Sequence, residues 1–124
     1  MVEVAMNISE IEQYRLERAV RNFCCQRNQS IPAELGKIQY EIYSGGAVFS
    51  RLNFLLDSVH SHSELPLAKL EYDKRDQLWM LYIAQCRQEH AEIIAWLPYP
   101  NLARQKTFDA ALTTLGRDPE RVLW

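Results

Sequence analysis

Three consecutive strand-length segments between Leu65 and Trp96 carry aromatic and aliphatic residues in both phases of their alternation. In the segment Gln77 to Gln85, Leu78, Met80 and Tyr82 fall on one side, and Trp79, Leu81 and Ile83 on the other. The next segment, Ala91 to Trp96, sets Ile93 and Ala95 against Ile94 and Trp96. Successive side chains of a strand point to opposite faces, so both faces of the sheet they build are apolar. An antiparallel sheet with one wet face alternates apolar with polar instead. The expectation is therefore a sheet covered on both sides.

The flanking chain supplies the remaining elements. Ser9 with Glu12 three residues on is a capping-box pattern, in which side chains satisfy backbone donors that the first helical turn leaves orphaned. Leu16, Ala19, Val20, Phe23 and Cys24 continue an apolar stripe at three- and four-residue steps, and the helix is expected to end near Asn28, ahead of Ile31-Pro32-Ala33. Ile38, Tyr40 and Ile42 alternate with Lys37, Gln39 and Glu41 as a half-buried first strand. Ser44-Gly45-Gly46 turns the chain into a second strand, Ala47 to about Leu56. A polar loop, Asp57 to Glu64, precedes a third strand, Leu67 to Tyr72, joined to the fourth by Asp73-Lys74-Arg75-Asp76.

Cys86 to Glu89 is the second short connection, and Pro98 and Pro100 stop the sheet. Asn101 or Thr107 caps a second helix with Phe108, Ala111, Leu112 and Leu115 on its apolar side and Gly116 as its stop; Asp118-Pro119 then opens a last turn, Glu120 to Trp124. The predicted class is α+β: an N-terminal helix, a five-stranded antiparallel meander and a C-terminal helix in a single domain, residues 1–124. Two short helices are little cover for two apolar faces, so a homodimer or a protein partner is expected.

Composition excludes several classes. In 124 residues no apolar run approaches the ~20 that span a bilayer, and Met1 to Ala5 carry Glu3 where a secretory leader has basic residues, so no membrane association and a cytoplasmic protein are expected. Three cysteines, two of them the adjacent Cys24 and Cys25, make a poor disulfide framework and read as free thiols. A net charge of -2 argues against a chain that wraps nucleic acid nonspecifically. Glu12 with Arg15 and Glu17 with Arg21 stand at helical neighbour spacings that suit a salt-bridged, solvated face.

Candidate chemistry is sparse. In a meander, alternate connections share one end of the sheet, which would bring His60 and His62 toward Cys86 and His90, with Cys24 or Cys25 nearby. Thiolate and imidazole are zinc ligands, yet the spacings match no recognised knuckle, so ordinary loop histidines and thiols are the favoured reading, and neither metal nor other cofactor is expected. A cysteine paired with a histidine lacks any local nucleophile signature, and Glu64, Glu71 and Asp73 read as solvating carboxylates. No catalytic residue is assigned and no enzyme is expected. Tyr40, Tyr43, Phe49, Tyr72, Trp79, Tyr82 and Trp96 could instead stack single-stranded nucleic acid beside Lys69, Lys74 and Arg75. The binding candidates are Lys69, Tyr72, Lys74, Arg75, Trp79 and Tyr82. For Lys69 the plainest partner is Glu71, on the same, less buried face; protein binding is preferred to the nucleic-acid alternative.

The order of an amphipathic helix, "IPAELGKIQYEIY", the hairpin "LPLAKLEYDKRDQLWMLY" and a C-terminal helix followed by an aspartate and a terminal aromatic resembles the bacterial domain-of-unknown-function 3024 family. Pro66, Ala68, Lys69, Tyr72, Trp79 and Tyr82 are the most specific part of the likeness. The chain departs from the family pattern at Glu89-His90-Ala91, where a Trp-His pair is usual, and at its end, Trp124, where an aromatic-glycine tail is usual. The resemblance implies a small standalone domain and no assigned activity.

Overall fold

The computed structural model describes residues 9–30, 37–54, 62–86 and 93–123. Ser9 Oγ accepts the Glu12 N–H at 3.1 Å and so begins helix α1, Glu10–Ser30, whose buried side is Leu16, Val20 and Cys24. The helix runs two residues beyond the expected Asn28. Glu12 and Arg15, like Glu17 and Arg21, do not close into ion pairs, in keeping with the small gain available to solvated side chains.

Strands β1 (Lys37–Tyr43), β2 (Gly46–Phe54), β3 (His62–Asp73), β4 (Leu78–Cys86) and β5 (Ile93–Pro98) pair in sequence order, all antiparallel, as the expected meander. Helix α2, Phe108–Arg117, starts at Thr107, whose hydroxyl accepts the Ala110 N–H at 3.1 Å. The α+β class and its element order are those read from the sequence.

Two differences follow from proline chemistry. Strand β3 begins at His62 and passes through Pro66, inside the segment read as a loop and its end. Pro66 has no N–H to give, but the pairing with β4 begins only at Ala68, and a bulge with Leu67 as its extra residue separates the pairs Phe49–Ala68 and Ser50–Pro66. At the other edge, Pro98 ends β5 without ending the ladder. Leu81 accepts from Tyr99 N–H at 2.9 Å and donates to Ala103 O at 2.8 Å, and β6, Arg104–Gln105, then continues along β4 opposite Trp79 and Met80. Strands β5 and β6 are thus one edge strand, interrupted by the turn at Pro100, Asn101 and Leu102.

Both helices lie on one face of the sheet. Ala47, Phe49, Ala68, Leu70, Trp79 and Leu81 share that face through the register and are at most 3% exposed. Phe23 of α1 meets Phe49 edge-on at 5.9 Å between centroids, and Phe108 of α2 meets Trp79 at 5.5 Å. Among the described residues no element packs on the opposite face, so the cover expected on both sides is present on one.

The end of α2 also departs from expectation. Gly116 lies inside the helix, where a Cβ would come 3.1 Å from the Phe23 ring, so its missing side chain admits α1. The left-handed residue that ends the helix is Asp118, φ 44°. Its buried carboxylate accepts from Tyr99 Oη at 2.7 Å, from Val122 N at 3.0 Å and from Leu123 N at 2.8 Å, tying the tail to the turn after β5 in place of a last helical turn. Arg27 of α1 donates to Gly116 O at 3.1 Å; burial and Arg51 lower its guanidinium from the ordinary value, while the Asp118 charge pulls it back.

Helix α1 also guards the free edge of β1. Asn28 donates from Nδ2 to Ile38 O at 2.9 Å and accepts the Ile38 N–H on Oδ1 at 2.7 Å, acting as a neighbouring strand would. Asn28→Ala leaves both backbone groups half-buried and unpaired. It should cost about 1–3 kcal/mol in urea unfolding; an unchanged midpoint would show that the edge does not depend on this contact.

Candidate binding surface

The open face is built by every second residue of the central strands. On it Val48 of β2 lies beside Lys69 of β3 and Tyr82 of β4, while Gly46, Glu71 and Met80 form the next row. Tyr43 fills the space over Gly46: a Cβ there would stand 2.5 Å from both its ring and Leu70 O, so the absent side chain is what admits the tyrosine. The Tyr43 hydroxyl reaches Leu70 O at 3.4 Å. Burial, and then Glu71 and Tyr82, pushes its phenol up from the ordinary value.

Lys69 is the centre of this surface. Its Nζ stands 3.4 Å from Glu71 Oε2, 4.9 Å from the Tyr82 ring centroid and 5.0 Å from that of Trp96. A lysine over aromatic faces is held by the ring quadrupole while its aliphatic stem covers apolar surface. Its side chain is 21% exposed and that of Glu71 40%, so the ion pair is partly screened and serves more to set orientation than to stabilise. Burial, and then Glu71 and Asp73, raises the Tyr82 phenol. Beside this cluster, Glu71, Asp73, Lys74, Arg75 and Met80 help line a shallow cleft of about 240 Å³.

The binding set read from the sequence therefore divides. Lys69 and Tyr82 meet on the open face, with the expected Lys69–Glu71 pair formed along β3. Tyr72 and Trp79 lie on the helix-covered face, their rings 5.2 Å apart, and Trp79 is 3% exposed. Lys74 and Arg75 are exposed on the β3–β4 turn, where Arg75 N donates to Asp73 Oδ1 at 2.9 Å. Trp96, missing from the set, joins it because β5 places it opposite Ala84, on the Tyr82 side of the sheet. Strand alternation alone separates Lys69 and Tyr82 from Tyr72 and Trp79; only the β4–β5 register could have added Trp96.

The backbone puts His62 at the start of β3 and Cys86 at the end of β4, at one end of the sheet as expected. Their side chains, and His60 and His90 entirely, lie outside the described residues. Among the described residues no group of three His, Cys, Asp or Glu could hold a metal ion. Cys24 and Cys25 face opposite ways, one buried and one exposed, and burial pushes the Cys24 thiol up to about 12.

A thiolate is the reactive form, so in a Cys86→Ser background a thiol reagent should modify Cys25 promptly and Cys24 only on unfolding. In the unfolded chain the Cys24 thiol ionises near 9.0, so it favours the folded state below that pH and gives up this contribution as pH rises toward about 12. Equal labelling of both in the native protein would contradict this.

A family model described as "Domain of unknown function (DUF3024)" matches residues 8–124. The chain belongs to this family. No curated protein and no solved structure matches it. In this DUF3024 chain the residues that carry the likeness serve both faces of the β3–β4 hairpin: Ala68, Tyr72 and Trp79 build the core, and Lys69 and Tyr82 the open surface. No helix among the described residues is long and apolar enough to cross a membrane.

Proposed function

We propose that the chain is a non-enzymatic interaction module that docks a protein partner on the open face of its sheet. The observation that carries this reading is that both helices cover the same face, leaving half-buried Val48, Met80, Tyr82 and Trp96 on the other without a covering element among the described residues. An uncovered sheet face that sets aromatic and aliphatic side chains on either side of a central charged pair suits a contact site. The charge is mixed, Lys69 against Glu71, with Glu41 and Asp73 nearby, whereas a platform for single-stranded nucleic acid needs a basic groove along its stacking rings.

Met80→Lys places a charge among the apolar side chains of β4 on the open face, and Arg18→Glu, on the exposed side of α1, is its control. With tagged, folded protein, Met80→Lys should abolish association with its partner, own chain or heterologous, and Arg18→Glu should retain it. Association unaffected by Met80→Lys would overturn the reading. Binding to short single strands that weakens steeply with salt and is lost in Lys69→Glu would replace it with the nucleic-acid alternative.

A further inference from the structure

We infer that the occupant of the open face is a second copy of this chain, related by a two-fold axis that crosses the strands between Lys69 and Glu71; this rests on the docking reading above. The face is self-complementary. One row across the strands is Val48, Lys69, Tyr82; the next, one pleat along, is Tyr43 over Gly46, then Glu71 and Met80. A two-fold axis lying between the sheets and perpendicular to the strands reverses strand direction and lays each row on the other row of its partner.

Lys69 of one protomer then meets Glu71 of the other, Tyr82 meets Met80, and Val48 meets the Tyr43 ring. Each encounter is favourable in kind: base with acid, aromatic ring with thioether, aliphatic group with ring face. An axis along the strands through β3 sets Lys69 against Lys69 and Glu71 against Glu71, which like-charge repulsion disfavours. The opposing side chains have the reach for a sheet separation of about 10 Å. A standard interface takes about 800 Å² from each partner, roughly a tenth of the 8522 Å² surface of this chain.

Sedimentation of charge variants tests the arrangement. Lys69→Glu alone and Glu71→Lys alone each confront like charges across the axis, and each should weaken self-association about tenfold or more. Mixed in equal amounts, they should recover it as a heterodimer, because one protomer then offers two acids and the other two bases. The Lys69–Glu71 bridge within each chain stays broken in the mixture, so recovery cannot come from restored folding. The double variant Lys69→Glu/Glu71→Lys should associate like the wild type.

Single variants that dimerise normally, or a mixture that remains monomeric, would overturn the inference. A wild-type chain that is monomeric at micromolar concentration while Met80→Lys still abolishes capture of a heterologous partner would overturn the second copy and leave the docking face standing.

Discussion

Asp118→Ala is expected to lower the unfolding free energy by about 3–5 kcal/mol, a large part of the roughly 5–15 kcal/mol that holds a domain folded. The carboxylate is buried and accepts from the Tyr99 hydroxyl and from the Val122 and Leu123 N–H groups; its removal strands three donors at once. Asp118→Asn keeps the shape but can turn an amide N–H toward Leu123 N–H, so it too should destabilise. The glycine variant separates backbone from side-chain effects. Asp118 is left-handed at φ 44°, and a residue with no Cβ relieves about 1–2 kcal/mol there. Hydrogen bonds to a charged group contribute about 1.5–3 kcal/mol each, so the loss outweighs the relief and Asp118→Gly should be less stable than the wild type. Urea unfolding decides it; a stabilised glycine variant would mean that Asp118 is only a helix stop.

Trp79→Ala should be similarly severe, about 3–5 kcal/mol. The indole is 3% exposed, lies 5.2 Å from the Tyr72 ring and 5.5 Å from the Phe108 ring, and is the point at which α2 meets the sheet. Its loss opens a cavity beneath α2 that neighbouring strands are too constrained to fill. Thermal and urea unfolding should show the fall together with altered near-ultraviolet dichroism. A loss under about 1 kcal/mol would show that α2 is held elsewhere.

Local chemistry made much of this fold legible. Ser9 and Thr107 cap their helices through side-chain oxygens that any sequence displays, and the alternation of Ile38, Tyr40 and Ile42 announces the first strand. What escaped is non-local. Pro66 reads as a strand breaker until its position at a bulge, outside the β4 pairing, is known. Gly116 reads as a helix stop because its contact, Phe23, is 93 residues away in the chain. The apolar residues in both phases of β4 predicted two covered faces, but nothing in that pattern tells on which face the helices lie. The candidate surface suffered the same way: Lys69 and Glu71 declare themselves within one strand, while Trp96 enters only through pairing of β5 with β4.

Docking of a second chain on the open face is read out by light scattering on the intact protein through the micromolar range, wild type beside Met80→Lys. The wild type should scatter at twice the 14.5 kDa chain mass, and Met80→Lys, equally folded by its melting transition, at the single mass. A wild type that stays at the single mass, or a Met80→Lys variant that dimerises as the wild type does, would contradict it.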